Sequence, residues 1–334
     1  MNKTFKKHGG FNEDLRGEAA ALAWLKEAEQ QGGLPAVTVI SSSQDTLIEE
    51  QIVTTVPTAQ AARKAGRALA ITHAAGAGWY GCPPPDWHGN GYVISGVCTP
   101  VVSQENSYTS WGAFFAHERL EPYMKYARDR QVLQASHIKI LERICTRLDR
   151  GDFDTPQPLL VEQAPTNSNI ACARIHGDLW AGNLLWDANP TNPIGAILID
   201  PMAHGGHAET DLAMLALFGC AYLKEFIEGY ESISPLARWL ARTNCSPPII
   251  ATAFALCSFR QCLCIQNNAR CRAVHIIIAH KKGCSYTMSI PYSQRLLSID
   301  YRSPKLIPRA RASRTRSLLG STYLSFPAIL SSGT

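Results

Sequence analysis

Residues 174–218 have the sequence RIHGDLWAGNLLWDANPTNPIGAILIDPMAHGGHAETDLAMLALF. A His-Gly-Asp triplet ends at Asp178, Asn183 follows five residues later, and an apolar run at 196–199 ends in Asp200. The apolar run predicts a short strand. We therefore expect the three polar side chains to converge beside the end of that strand.

These three side chains are the set that phosphoryl transfer requires. The reaction needs a carboxylate that orients the attacking hydroxyl and accepts its proton, and oxygen ligands that hold Mg²⁺ on the phosphates. Asp178 is the candidate base, and Asn183 and Asp200 are the candidate metal ligands. A triplet alone could be a turn in which Asp178 caps a helix. The whole spacing favours a catalytic loop, because it follows the kinase pattern H-R-D-x-x-x-x-N with Gly in place of Arg.

Other polar residues of the same stretch have simpler interpretations. Asp211 precedes an apolar run, which indicates a helix cap or a brace for the catalytic loop rather than a ligand. His204 and His207 flank two glycines and could form a metal pair. Because no carboxylate or Cys lies at ligand spacing from them, we do not favour a metal there.

The pattern upstream alternates short strands with amphipathic helices. A Pro/Gly-rich segment at 76–96 contains Pro83 to Pro85 and predicts a loop without regular structure. The remaining apolar spacings predict strands at 4–7, 37–40 and 46–53 and helices at 18–29, 58–75, 110–130 and 133–148.

The composition is that of a soluble globular protein, with 46% hydrophobic and 18% charged residues. Collagen, coiled coils and wholesale disorder are excluded. The first ten residues, MNKTFKKHGG, lack the apolar region of a secretory signal, and no stretch approaches the roughly 18 apolar residues of a membrane span. We expect a cytoplasmic protein with no membrane partner.

Residues 241–334 differ from the rest in charge and cysteine content. They hold 13 Lys or Arg, a single acid and six of the eleven Cys, whereas residues 1–240 hold 19 basic and 26 acidic residues. Apart from a short helical stretch at 249–259, no helical pattern could bury a face. We interpret this segment as a poorly ordered tail produced by an altered reading frame.

A zinc site and a nucleic-acid arm are the alternatives for this tail. Its cysteines lack paired CxxC spacing, and its basic run at 302–316 lacks the interleaved aromatic residues of a single-strand binder. We expect no specific nucleic-acid partner.

Two segments resemble one known family. They are HGDLWAGNLLW, followed by LIDPMAHGGHAETDLAMLALFG, and NGYVISGVCTPVVSQENSYTSWGAFFAHERLEP. The second has a Gln-x-Asn pair, Gln104 and Asn106, ahead of W-x-x-F-F-x-x-x-R-L, which runs from Trp111 to Leu120. The combination resembles the fructosamine kinase (ketosamine-3-kinase) family, a branch of the protein-kinase-like fold that also includes aminoglycoside phosphotransferases. The resemblance covers roughly residues 3 to 240.

The resemblance implies an α+β, two-lobed, protein-kinase-like fold. Residues 1–53 match a partial small N-terminal lobe and hinge, residues 54–240 match the mainly helical C-terminal catalytic lobe, and residues 241–334 match nothing in the family. In the family, two strands joined by a glycine-containing loop precede the first strand of this chain. We therefore expect the small lobe to be incomplete by about 30 residues.

ATP and Mg²⁺ are the cofactors that the resemblance implies. Glu18 matches a helix Glu that pairs with a strand Lys, which is Lys7 or, one residue earlier, Lys6. The segment LIEEQI at 47–52 matches a hinge that usually reads LVLEWI.

In such a hinge, the backbone of Glu50 and Ile52 would meet the edge of the adenine. Gln51 stands where the family has an aromatic residue, which weakens one apolar wall of that pocket.

The implied reaction is phosphorylation of the 3-hydroxyl of a ketosamine, free or on a protein lysine, which leads to deglycation. Trp111, Arg119, Trp180 and His207 are the candidate substrate contacts. Another small-molecule kinase of the fold, with an aminoglycoside or choline-type substrate, is one alternative, and a catalytically inactive remnant is the other. The sequence indicates no particular oligomeric state.

Overall fold

A computed structural model describes residues 3–10, 12–94, 97–131, 133–165, 169–236, 274–279 and 285–290. In chain order the elements up to residue 100 are β1 (Thr4–His8), α1 (Leu15–Glu27), β2 (Val39–Ser42), β3 (Thr46–Glu50), α2 (Ala59–Ala74), β4 (Gly91–Ile94) and β5 (Val97–Pro100). They are followed by α3 (Trp111–Phe115), α4 (Glu121–Asp129), α5 (Ala135–Asp149), α6 (Leu159–Gln163), β6 (Ala173–Ile175), β7 (Leu184–Trp186), β8 (Ala196–Leu198), β9 (His204–Gly206), α7 (Glu209–Phe218), α8 (Leu223–Glu231), β10 (Val274–Ala279) and β11 (Ser285–Ile290).

The small lobe is a three-stranded antiparallel sheet with helix α1 packed on it. The strand order is β1-β3-β2, and Lys7 of β1 lies opposite Leu47 of β3. Alternation along β3 buries Leu47 and Glu49 on the face that also carries Lys7. Asp14 is the N-cap of helix α1, and its carboxylate accepts the backbone N–H of Arg16.

Backbone hydrogen bonds tie the small lobe to the catalytic lobe. Before β2, the N–H of Val37 donates to the carbonyl of Leu198 in β8. After β3, the N–H of Thr55 donates to Trp186, and Val53 accepts from Ala188. The hinge therefore runs along the β7-β8 hairpin, which positions the small lobe over the end of that hairpin.

Helices α2 and α8 pack closely in the catalytic lobe. A Cβ added at Gly66 would overlap the carbonyl of Phe226, and one at Gly229 would overlap the carbonyl of Arg63. Only glycine permits this backbone approach at both positions. The contact buries Phe226 in the main core and places α2 behind the catalytic loop.

A second apolar cluster joins α3, α4 and α5. The helix predicted at 110–130 is present but is interrupted by a π-helical turn at Ala116–Leu120. Such turns insert an extra residue and re-aim the side chains they carry. Here the turn carries Arg119, which is buried among Trp111, Phe114 and their neighbours.

Most predicted elements are confirmed within a few residues, and one prediction is wrong. The segment at 76–96 was expected to have no regular structure, yet β4 begins at Gly91 and pairs with β5. The three prolines end well before this hairpin, and Tyr92 and Val97 are buried, so tertiary packing supports two short strands.

Much of the tail lies outside the described residues, including the helical stretch predicted at 249–259. Within 274–290, β10 and β11 pair as antiparallel strands, with Val274 opposite Ile290. Their sequences, VHIIIA and SYTMSI, are rich in residues that favour strands. No helix in the described part of the chain is long and apolar enough to cross a membrane.

Candidate active site

One buried carboxylate, that of Asp211, holds the catalytic loop in place. Asp211, in the first turn of α7, is fully buried and accepts the backbone N–H of His176 at 2.7 Å and that of Gly177 at 3.0 Å. It also accepts from Nε2 of buried His73, 3.2 Å away. The prediction that Asp211 braces the loop is confirmed.

Burial alone would raise the pKa of Asp211. The hydrogen bond and charge of His73, together with His176, hold that pKa below its usual range. His73 is fixed in turn by the hydroxyl of Tyr230, 3.0 Å from Nδ1. The brace is therefore an ionised carboxylate whose lone pairs are used by the loop and by α2.

His176 is a structural part of the loop. Its Nε2 lies 2.9 Å from the carbonyl of Ile199, and its Nδ1 accepts the N–H of Asp178 at 3.2 Å. Because a carbonyl only accepts, the hydrogen is on Nε2. Burial lowers the pKa of His176, which keeps the ring neutral in this role.

The three predicted polar groups meet at one point. Asn183 donates from Nδ2 to the carbonyl of Asp178 at 2.9 Å, to its Oδ2 at 3.2 Å and to the carbonyl of Asp200 at 3.5 Å. Asp178 and Asn183 are 6% and 4% exposed, whereas the side chain of Asp200 is 42% exposed. The loop therefore orders Asp178 and Asn183 and leaves Asp200 open to the cleft.

The small lobe contributes a cation to the same cleft. Lys7 Nζ lies 2.6 Å from Glu18 Oε2 and 3.4 Å from Asp200 Oδ1. Although burial lowers the pKa of Lys7, the charges of Glu18 and Asp200 raise it above its usual value. The structure thus pairs Glu18 with Lys7 rather than Lys6 and brings this ammonium to the carboxylate of Asp200.

The cleft has a volume of about 340 Å³ between the lobes. Tyr92 and Met202 form part of its wall, and Trp180, 43% exposed, stands at its rim. In the hinge, Glu50 donates its backbone N–H to the carbonyl of Thr38.

The other three predicted substrate contacts do not lie at the cleft surface. His207 is fully buried, and its Nε2 contacts the carbonyls of Thr155 and Pro156 at 3.2 and 3.3 Å. Burial lowers its pKa to about 4, so the ring is neutral. Trp111, 6.0 Å from the His207 ring, and Arg119 line a separate cavity behind the catalytic loop.

Glu49 is a polar residue near the cleft that the sequence reasoning missed. It is 3% exposed, and its Oε1 has no hydrogen-bond partner among the described residues. Burial, and then the charge of Asp200, raises its pKa to about 7. The sequence signal that could have identified Glu49 is an acid at an inward position of a predicted strand, two residues after the apolar Leu47.

The donor set suits Mg²⁺. Since the amide nitrogen of Asn183 is used by Asp178, its amide oxygen is the atom left to bind a cation. With the Asp200 carboxylate it supplies two hard oxygen ligands, and Mg²⁺ in phosphotransfer sites takes its other ligands from phosphates and water. Lys7, held by Glu18, is placed to contact the phosphates.

A kinase-like phosphotransferase is the class that this two-lobed fold and its cleft define. Within that class the chain belongs to the fructosamine kinase family, whose sequence profile matches residues 7–243. A solved structure, that of a candidate fructosamine-3-kinase from Thermobifida fusca, is 31% identical and superposes with a TM-score of 0.59. That match covers 77% of this chain and 78% of the other.

Curated relatives match over a shorter range. A probable ketoamine kinase of Vibrio parahaemolyticus is 33% identical over 130 residues, which are 39% of this chain and 37% of that protein. One from Synechocystis is 33% identical over 140 residues, or 40% and 39% of the two chains. The chain thus spans about two fifths of the length of these relatives.

Proposed function

We propose that the protein transfers the γ-phosphoryl group of ATP to the 3-hydroxyl of a ketosamine. The observation that carries this proposal is the convergence of Asp178, Asn183 and Asp200 with the Lys7–Glu18 pair in one cleft. Membership of the fructosamine kinase family supports the acceptor class. The names of its relatives support it further, since they are probable ketoamine kinases.

Asp178 acts on the acceptor in this proposal. Its carboxylate, oriented by Asn183, receives the proton of the 3-hydroxyl as the hydroxyl oxygen bonds to the γ-phosphorus and the bond to ADP breaks. Mg²⁺, when bound, neutralises negative charge on the phosphates. Lys7 holds phosphate oxygens, and Glu18 keeps its ammonium in position.

Trp180 is the substrate contact that the geometry favours. Its indole is two residues from Asp178, exposed at the rim of the cleft and in edge contact with Phe218 at 6.3 Å between ring centroids. An exposed aromatic face there can pack against the apolar side of a sugar. The acceptor is a small or protein-bound ketosamine, whose phosphorylated product then decomposes, so that the reaction amounts to deglycation in the cytoplasm.

The test separates binding from chemistry. Asp178→Asn keeps the shape of the side chain but cannot accept the proton, so turnover of a 1-deoxy-1-amino-ketose should fall by about 10²–10⁴. Stabilisation by Mg²⁺ and ATP in a thermal-shift assay should remain in this variant and be lost in Asp200→Ala. Asp129→Asn, on the surface at the end of α4, is the control for both measurements and should match wild type.

Three results would contradict the assignment. Turnover that survives in Asp178→Asn would make Asp178 a structural residue. Equal stabilisation of wild type and Asp200→Ala would remove Asp200 from the metal site. Phosphorylation of an aminoglycoside or choline in preference to the ketosamine would assign the protein a different substrate class within this fold.

A further inference from the structure

A cavity of about 60 Å³ lies behind the catalytic loop, and the proposed reaction does not use it. It is several times larger than the roughly 10–15 Å³ that one buried water needs. Phe114 and Arg119 line it on one side, and Gly177 of the catalytic loop, Met202 and Thr210 line it on the other. Its walls are apolar except for a few groups.

Arg119 is the charged group of this cavity, and only part of it is satisfied. The residue is 6% exposed. Nη1 donates to the carbonyls of Pro100 and Glu118, both at 2.9 Å, and the guanidinium carbon lies 4.6 Å from the centre of the Phe114 ring. Nε and Nη2 have no hydrogen-bond partner among the described residues.

A buried guanidinium in this state is costly. Its acceptors are neutral carbonyls, so no carboxylate in the described part of the chain hydrogen-bonds to it. Burial lowers the pKa of Arg119, but only to about 10, so the side chain stays charged near neutral pH. The hydroxyl of Thr210, which lines the same cavity, is also buried and has no hydrogen-bond partner in the part of the chain that the structure describes. Buried charges in proteins are normally paired.

We propose that this cavity binds a small carboxylate-like anion on Nε and Nη2 of Arg119. These two nitrogens form one edge of the guanidinium, and a carboxylate accepts both hydrogens of such an edge in parallel. The hydroxyl of Thr210 is a further donor, and the volume admits a group of acetate size. The π-helical turn that carries Arg119 is the local feature that directs the side chain inward.

The anion has two chemically equivalent sources. One is a free small carboxylate. The other is the carboxylate of an acceptor derived from an amino acid, which rests on the proposed function. Met202 lines both this cavity and the cleft, and Gly177 directly precedes Asp178, so an acceptor whose hydroxyl is at Asp178 has its remainder close to this wall.

The first experiment needs no catalysis. Sodium acetate is titrated into the full chain at constant ionic strength, made up with a bulky sulfonate, and the unfolding temperature is followed. We expect a saturable rise of a few degrees. Arg119→Met, which keeps the side-chain length but removes the charge, should show no rise.

Arg119→Lys is the second variant, since it keeps a buried cation but loses the two-nitrogen edge. Its acetate midpoint should move at least tenfold higher. The proposal is overturned if wild type shows no saturable response, or if either variant that folds responds with the wild-type midpoint. Because the readout is stability, this result is independent of whether the protein phosphorylates a ketosamine.

A matched pair of ligands distinguishes the two sources. The ketosamines of glycine and of methylamine differ only by a carboxylate, and their binding is compared by thermal shift with and without saturating acetate. Tighter binding of the glycine derivative, lost in acetate, assigns the site to the acceptor. Equal binding of the two derivatives alongside a saturable acetate response assigns it to a free anion.

Discussion

The catalytic loop and the Arg119 cavity adjoin one another, and they differ in whether their buried polar groups are hydrogen-bonded. In the loop, Asp211, His176 and Asn183 are each hydrogen-bonded to other parts of the loop or its supports. In the cavity, two nitrogens of Arg119 and the hydroxyl of Thr210 have no partner among the described residues.

The loop is therefore organised without a ligand, whereas the cavity has buried donors that a ligand can pair with. Fully paired buried groups hold one geometry, which is what proton transfer at Asp178 requires. Unpaired buried donors cost free energy in the absence of a ligand and recover part of it when an acceptor binds. Pairing inside the loop therefore fixes the position of Asp178, the proposed base, and the unpaired donors of the cavity point to recognition of a ligand.

The largest expected effect comes from breaking the loop network. Asp211→Ala leaves the N–H groups of His176 and Gly177 and the ring of His73 buried without an acceptor, and it should lower the free energy of unfolding by about 3–5 kcal/mol. Urea denaturation measures this. The control is Asp152→Ala, which removes a half-exposed pair with Arg147 and should cost less than about 1 kcal/mol. Equal losses in the two variants would show that Asp211 is not the brace.

A second variant tests the wall that the loop and the cavity share. Gly177 has φ +80°, and a Cβ there would overlap the carbonyl of Met202 and crowd the ring of His204. Gly177→Ala should therefore lower the free energy of unfolding by about 3 kcal/mol. Gly32 also has a positive φ, +89° in the left-handed helical region, but a Cβ there would meet only the end of the Ile71 side chain at 3.5 Å, so Gly32→Ala should cost only about 1 kcal/mol. A similar cost at both positions would mean that backbone strain alone decides, without the packing of the loop.

In the small lobe, Glu49 has a buried carboxylate oxygen with no hydrogen-bond partner among the residues that the structure describes, and the pH dependence of stability tests its titration. Its pKa is raised to about 7 in the folded protein, so the folded state holds a proton that the unfolded state releases near pH 4.5. Stability is therefore lost as the pH rises from 4.5 to 7. Glu49→Gln should exceed wild type by about 2 kcal/mol at pH 8 and match it at pH 4.5.

Urea denaturation across this pH range gives the comparison, and Glu18 is present in both proteins, so the difference isolates Glu49. Glu105→Gln, an exposed substitution in the turn before α3, should leave the pH profile unchanged. A Glu49→Gln profile parallel to that of wild type would show that Glu49 does not titrate in this window.

The convergence of the polar groups in the catalytic loop could be predicted from the sequence, because these residues are close to one another along the chain. Asp178 and Asn183 are five residues apart, and Asp200 follows β8, which pairs with β7, the strand just before it along the chain. A short loop and the pairing of neighbouring strands therefore bring these groups close together in space. The same holds for the helices, whose apolar spacing and caps, such as Thr58 before α2, are properties of consecutive residues.

A sequence motif alone was not enough to decide whether Arg119 and His207 contact the substrate. Both residues lie in segments that resemble the family, but the resemblance does not say which way a side chain faces. The π-helical turn rotates Arg119 into an interior cavity, and His207 is turned toward the Thr155–Pro156 backbone. Each orientation depends on elements that lie about twenty to fifty residues away in the chain.

The resemblance of the sequence to a known family was sufficient to identify the kinase-like class and its two lobes, and residue type and near spacing were sufficient to predict which polar residues of the catalytic loop come together. Tertiary structure decided which lysine pairs with Glu18, that Asp211 is shared by the loop and His73, and that Glu49 and Arg119 are buried without full partners. The physical reason is that burial and pairing are set by segments distant in the chain. His73 and Asp211, for example, are 138 residues apart in sequence and 3.2 Å apart in space.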